Sequence, residues 1–148
     1  MAEESVHYAL AQRHDPQRVL LISIEGGMLK ELRKHRPQAV DYVEINPAVT
    51  EALFRHDMIE KVPELRVVHR DGRAFLAETN ARYDAVIVNL PEPETYQINR
   101  FFTGEFFDLV RRRLSPNGVF SFSVQGFGNY LAEPQRQKIS SLRNTLAE

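Results

Sequence analysis

The chain has 148 residues, 43% hydrophobic and 26% charged, with a formal net charge of −1 and no cysteine. That composition fits one soluble globular domain and excludes disordered and fibrous classes, disulfide scaffolds and thiolate chemistry. There is no basic field for non-specific nucleic-acid binding, no apolar stretch long enough to span a membrane, and no basic start in Met1-Ala2-Glu3-Glu4 for a secretion signal. The expectation is a cytoplasmic protein without nucleic-acid partners and without direct membrane contact in this segment.

In chain order, apolar runs at residues 19–24, 40–45, 66–69, 85–89 and 119–124 read as strands. Helical segments begin near Gly27, Pro47, Gly72, Thr103 and Pro134. Asn46-Pro47 supplies an N-cap and a first-turn proline, while Asp71 and Thr103 are placed to cap the next two. The Arg111-Arg112-Arg113 triplet falls at the end of a helix, where cations complement the helix dipole. Phe101, Phe102, Phe106 and Phe107 read as the buried face of a helix packed on the sheet. Pro and Gly punctuate the chain singly, so residues 1–148 read as one continuous domain.

Such alternation predicts an α/β fold, a Rossmann-like open sheet, mainly parallel, with helices on both faces. Ligands of these sheets bind beyond the carboxyl ends of the strands. Glu25-Gly26-Gly27 follows the first strand, Glu44 ends the second, Asp71-Gly72 follows the third and Asn89 to Pro93 follow the fourth. Glu44 lies about 20 residues past the Gly26-Gly27 turn, the spacing at which a carboxylate meets two ribose hydroxyls. His7, His14, His35, His56 and His69 lack metal-ligand spacing, so no metal is expected.

The stretches Glu25 to Glu31, Val43-Glu44-Ile45-Asn46-Pro47, Asp71-Gly72-Arg73, Asn89-Leu90-Pro91-Glu92-Pro93, Phe102 to Phe107 and Leu114-Ser115-Pro116-Asn117-Gly118 resemble, in order and spacing, the motifs of the spermidine synthase family. That family is a branch of the class I methyltransferase-like fold, and the resemblance implies about five strands in the order 3-2-1-4-5. It implies S-adenosylmethionine or its decarboxylated form as cofactor, with no metal. Glu25, Gly26, Gly27, Glu44, Ile45, Asp71 and Gly72 would bind that cofactor, Glu44 at the ribose and Asp71 at the adenine. A plain helix N-cap also explains Asp71. His7, Glu25 and Glu92 would face the acceptor, and Asn89 and Glu92 occupy the catalytic loop.

Two departures bear on the chemistry. Ser23 and Ile24 stand where the family has glycines, and the β-branched Ile24 fills space that glycine leaves open. Asn89 stands where the family has a catalytic aspartate, and a carboxamide cannot remove a proton from an amine. The resemblance therefore leaves three readings: aminopropyl transfer to a small-molecule amine, methyl transfer from S-adenosylmethionine to another acceptor, or a non-catalytic cofactor-binding module. The resemblance implies that full-length synthases carry a small N-terminal β-domain and two further strands not expected within these 148 residues, and the loop after Asn89 resembles a sub-branch often fused to membrane segments. The expectation is either a domain cut from a larger protein or a natural fragment that covers its last strand by pairing with a second copy.

Overall fold

The three central apolar runs become strands buried on both sides, because the amphipathic segments between them fold back over the two faces of the sheet, while the two outer strands are only partly covered. The computed structural model describes residues 2–13, 15–124 and 132–147; His14 lies outside them. The order is α1 (Ala2–Leu10), β1 (Arg18–Ile22), α2 (Met28–Arg33), β2 (Ala39–Val43), α3 (Pro47–Arg55), β3 (Leu65–Val68), α4 (Gly72–Glu78), β4 (Tyr83–Val88), α5 (Tyr96–Asn99), α6 (Gly104–Arg113), β5 (Leu114–Phe122) and α7 (Glu133–Ala147). The five strands form one sheet in the order β3-β2-β1-β4-β5. All four pairings are parallel.

The expected strands all form, with ends shifted by a few residues. β1 stops at Ile22 because Ser23 turns into the left-handed region at φ 57°. α1 and α5 are additions to the sequence reading. The signal for α1 was Val6, Ala9 and Leu10 on one face behind Glu3 and Glu4. α5 is four residues long, too short for periodicity to show.

On one face Val6, Ala9 and Leu10 of α1 pack with Met28, Leu29 and Leu32 of α2 and Leu53 of α3. On the other, Phe75 and Leu76 of α4 and Phe106, Phe107 and Val110 of α6 meet Leu20, Ile22, Val86 and Val88. Burying each such side chain contributes roughly 1.5–3 kcal/mol against chain entropy. Phe101, Phe102, Phe106 and Phe107 are all in this second core, and Phe102 meets Phe122 of β5 edge to face at 5.3 Å.

The expected caps form. Asn46 accepts from the Ala48 N–H at 3.0 Å, Asp71 from Arg73 and Ala74 at 3.1 Å each, and Thr103 from Phe106 at 3.4 Å. Arg113, in the last turn of α6, also donates to the carbonyls of Leu76 and Ala77 near the end of α4. No helix among the described residues is long and apolar enough to cross a membrane.

Candidate functional site

Strand order reverses between β1 and β4, so the segments after β1, β2 and β4 diverge and leave a crevice at their carboxyl ends. A cleft of about 340 Å³ lies there. Its floor and near wall are Ile22, Ser23, Val43, Glu44 and Ile45; Arg70, Asp71 and Gly72 close one end, and Leu90, Ile98, Arg100 and Phe101 form the far wall.

Glu44 is the acid at the heart of it. It follows β2 directly and is 8% exposed, with its backbone N–H bonded to the Val68 carbonyl at 3.0 Å. Ser23 donates to Oε2 at 3.3 Å, and the Asn46 N–H to Oε1 at 3.0 Å. Each oxygen keeps room for a further donor, because a carboxylate has about four acceptor sites. Tyr42 lies two residues earlier on the same face of β2 and is fully buried. Burial, and then the Glu44 charge, push that phenol well above its ordinary range. Ile45 is 66% exposed at the rim, an apolar surface open to a ligand.

Asp71 is used twice by the protein itself. One oxygen caps α4, and the other is paired with the Arg100 guanidinium. Arg100 also lies over the Phe101 ring at 5.1 Å, and Arg73 ties the segment down by donating to the Arg100 carbonyl and, at 3.4 Å, to Thr103. At Gly72 the close approach is to the core. A Cβ there would stand 2.8 Å from the Ile22 side chain and 3.2 Å from the Phe101 ring.

The other expected residues stand apart from this cleft. Gly26 and Gly27 line a separate groove of about 480 Å³ with Lys30, Arg33 and Met58. Gly27 takes φ 91° to start α2, and the Met58 methyl fills the space a Gly26 side chain would need. Glu25 is exposed beside them. His7, on α1, bonds His35 at 2.8 Å and Glu31 at 2.9 Å. Asn89 directly follows β4, its N–H donating to the Ile22 carbonyl at 3.0 Å. Glu92 accepts from Lys138 of α7 at 2.6 Å. Ile24, expected to fill cofactor space, points instead into the core beneath α1 and α2. No group of His, Cys, Asp and Glu among the described residues could hold a metal ion.

Sequence reasoning missed Ser23 and Arg100. Ser23 was weighed only as a lost glycine, although a hydroxyl at the end of β1 is placed to meet the acid at the end of β2. Arg100 left a faint signal, a lone cation in a loop that otherwise carries Glu92 and Glu94.

The chain matches the sequence model of the spermine/spermidine synthase domain over residues 1–141. It belongs to that family. Among curated relatives it is 32% identical over 132 residues to a polyamine aminopropyltransferase of Korarchaeum cryptofilum (strain OPF8), covering 84% of this chain and 40% of that protein. A spermidine synthase solved in complex with the transition-state analogue AdoDATO superposes with a TM-score of 0.74 at 25% identity, over 82% of this chain and 43% of that one. The spermidine synthase of Thermotoga maritima shares the fold with a TM-score of 0.78 at 21% identity, over 99% and 50%. The chain thus spans no more than half the length of these family members.

Proposed function

We propose that the cleft binds the nucleoside of S-adenosylmethionine or of its decarboxylated form, and that the chain serves aminopropyl transfer to a small-molecule amine. One observation carries the binding reading: the carboxylate of Glu44, nearly buried, faces the crevice where strand order reverses, held by Ser23 and the Asn46 N–H with acceptor capacity to spare. Two vicinal hydroxyls suit those remaining sites. Ile45 and Leu90 offer apolar faces to a base, and Asp71 and Gly72 stand at its edge. In family terms Glu25, Gly26 and Gly27 belong to the sulfonium side of such a ligand. The spermidine synthase bound to AdoDATO supports the same choice.

In the transfer, the amine lone pair attacks the carbon next to the sulfonium. The carbon–sulfur bond breaks, its electron pair stays on sulfur as a neutral thioether, and the new ammonium releases a proton. Positioning supplies most of the rate in such a displacement. Asn89 cannot take the proton, so the role passes to a carboxylate, Glu92 or Glu25. Lys138 already holds Glu92, so an incoming amine must compete with an ammonium that is in place. For His7 to line the amine side, its bonds to Glu31 and His35 must open. These demands favour methyl transfer as the second reading, since it needs no dedicated amine base.

Calorimetric titration with S-adenosylmethionine, its decarboxylated form and 5′-methylthioadenosine tests the reading. Binding of the decarboxylated form in preference supports aminopropyl transfer, and preference for S-adenosylmethionine supports methyl transfer. Binding without turnover of either indicates a non-catalytic module, and no heat with any of the three would falsify the nucleoside site.

A further inference from the structure

The Arg100–Asp71 pair lies inside the cleft that is read above as a nucleoside site, and the following inference rests on that reading. Asp71 lines the same cleft as Glu44. Its Oδ1 accepts the Arg73 and Ala74 N–H groups that begin α4, and its Oδ2 meets the Arg100 guanidinium. Oδ1 is filled by its two donors, and the one acceptor site left on Asp71 is on Oδ2, beside the Arg100 guanidinium. Arg100 itself lines the cleft, its side chain 43% exposed. A guanidinium carries five N–H donors and no acceptor, so part of its donor set still faces the cleft after pairing with Asp71. The end wall therefore presents donors where an unpaired Asp71 would present an acceptor.

We propose that Arg100 is a specificity-determining residue that sets which base edge the cleft accepts. A base carrying an exocyclic amine must share Asp71 Oδ2 with Arg100, bringing its amine against a guanidinium that is itself all donors. A base with a carbonyl at the same edge accepts directly from Arg100 with the ion pair intact. The pair is well placed for such exchange. It joins α4 to the α5 segment, a four-residue helix whose Tyr96 is 96% exposed, so moving Arg100 disturbs little packed core. An exposed ion pair is also weak enough for a ligand to open.

The test compares 5′-methylthioadenosine with its 6-oxo counterpart, 5′-methylthioinosine, by calorimetry on the wild-type chain, Arg100→Gln and Arg100→Lys. Arg100→Gln should bind the adenosine compound about fivefold more tightly than wild type, the scale of one surface ion pair, and the inosine compound no more tightly. Raising salt should bring wild type toward the variant for the adenosine compound, because screening loosens the pair, and should leave Arg100→Gln unchanged. Arg100→Lys keeps the cation and should keep the wild-type order. Unaltered melting curves identify these as effects on the site. The same adenosine-to-inosine ratio in wild type and Arg100→Gln overturns the proposal while leaving the nucleoside site standing. Failure of both compounds to bind either protein removes the nucleoside site itself, and this inference with it.

Discussion

At the scale of single residues the cleft turns on Glu44 and what holds it. Replacing Glu44 with Gln keeps its shape and removes its charge, and should weaken nucleoside binding by about 1 to 3 kcal/mol, read as a loss of affinity for 5′-methylthioadenosine. Equal affinity in the variant would assign the ribose to another group. Glu44 was legible in the sequence because a carboxylate at a strand end, at that distance from a glycine turn, has a known geometric use. Ser23 was not. Its contribution depends on φ 57°, a backbone state that a non-glycine residue rarely adopts and that nothing in the local sequence requires. Arg100 was illegible for a different reason: its partner is 29 positions away, by subtraction of the residue numbers, and ion pairs leave no periodicity.

At the scale of elements, four neighbouring strands are stitched together by Asp41, midway along β2. It is 2% exposed and accepts from Arg18 of β1 at 3.0 Å, Arg66 of β3 at 2.6 Å and Tyr83 of β4 at 2.7 Å. Asp84 of β4 similarly takes Ser115 at 2.6 Å, Arg13 at 3.0 Å and the Gln17 and Arg18 N–H groups at 2.8 and 3.1 Å. Burial opposes ionisation of both acids, but these donors win and hold each below its ordinary value of 3.8. Depressed acids stabilise the fold above the unfolded value and lose that contribution as pH falls through the folded one. The expected outcome is a melting temperature that drops steeply below about pH 4. Asp41→Ala should flatten that acid limb and cost about 1 to 3 kcal/mol at neutral pH, because it leaves the buried Tyr83 hydroxyl without its acceptor and removes the partner of two half-exposed guanidinium groups. A chemical denaturation series across pH measures both effects.

The joint between α1 and α2 has its own pH dependence. Burial, and then the charge of His7, lower the pKa of His35 from its ordinary 6.5. Its surroundings include Glu31 and Lys34, which are paired to each other, and Arg13 and Asp15 on the loop after α1. A lowered histidine favours the folded state while neutral, so this contribution is complete above about pH 6.5 and is lost as pH falls through the lower folded value. The expected result is a shallow loss of stability beginning near pH 6.5, absent in His35→Asn. Identical pH profiles for the two proteins would rule His35 out as its source. The sequence reading saw five scattered histidines, because the contact between His7 and His35 exists only once two helices pack.

For the whole molecule, sheet order, parallel pairing and the two-sided core were legible because mainly apolar runs alternating with capped amphipathic segments have few ways to fold. The division of the expected site into a cleft and a separate groove was not, since it depends on which way the turn after Ser23 carries Gly26 and Gly27. The position of α1 also escaped the sequence, and it has a consequence in time. α1 contacts β4 and β5 as well as α2, and its Ser5 meets Ser123, 118 residues away, at 3.3 Å. Contacts that close so much chain are entropically costly early in folding, so α1 should be among the last elements to take its place. Val6→Ala, at a fully buried position of α1, should cost roughly 1 to 3 kcal/mol, expressed as faster unfolding with an almost unchanged refolding rate in stopped-flow experiments. A slower refolding rate instead would put α1 in the folding nucleus, and the start of this chain would then direct its assembly.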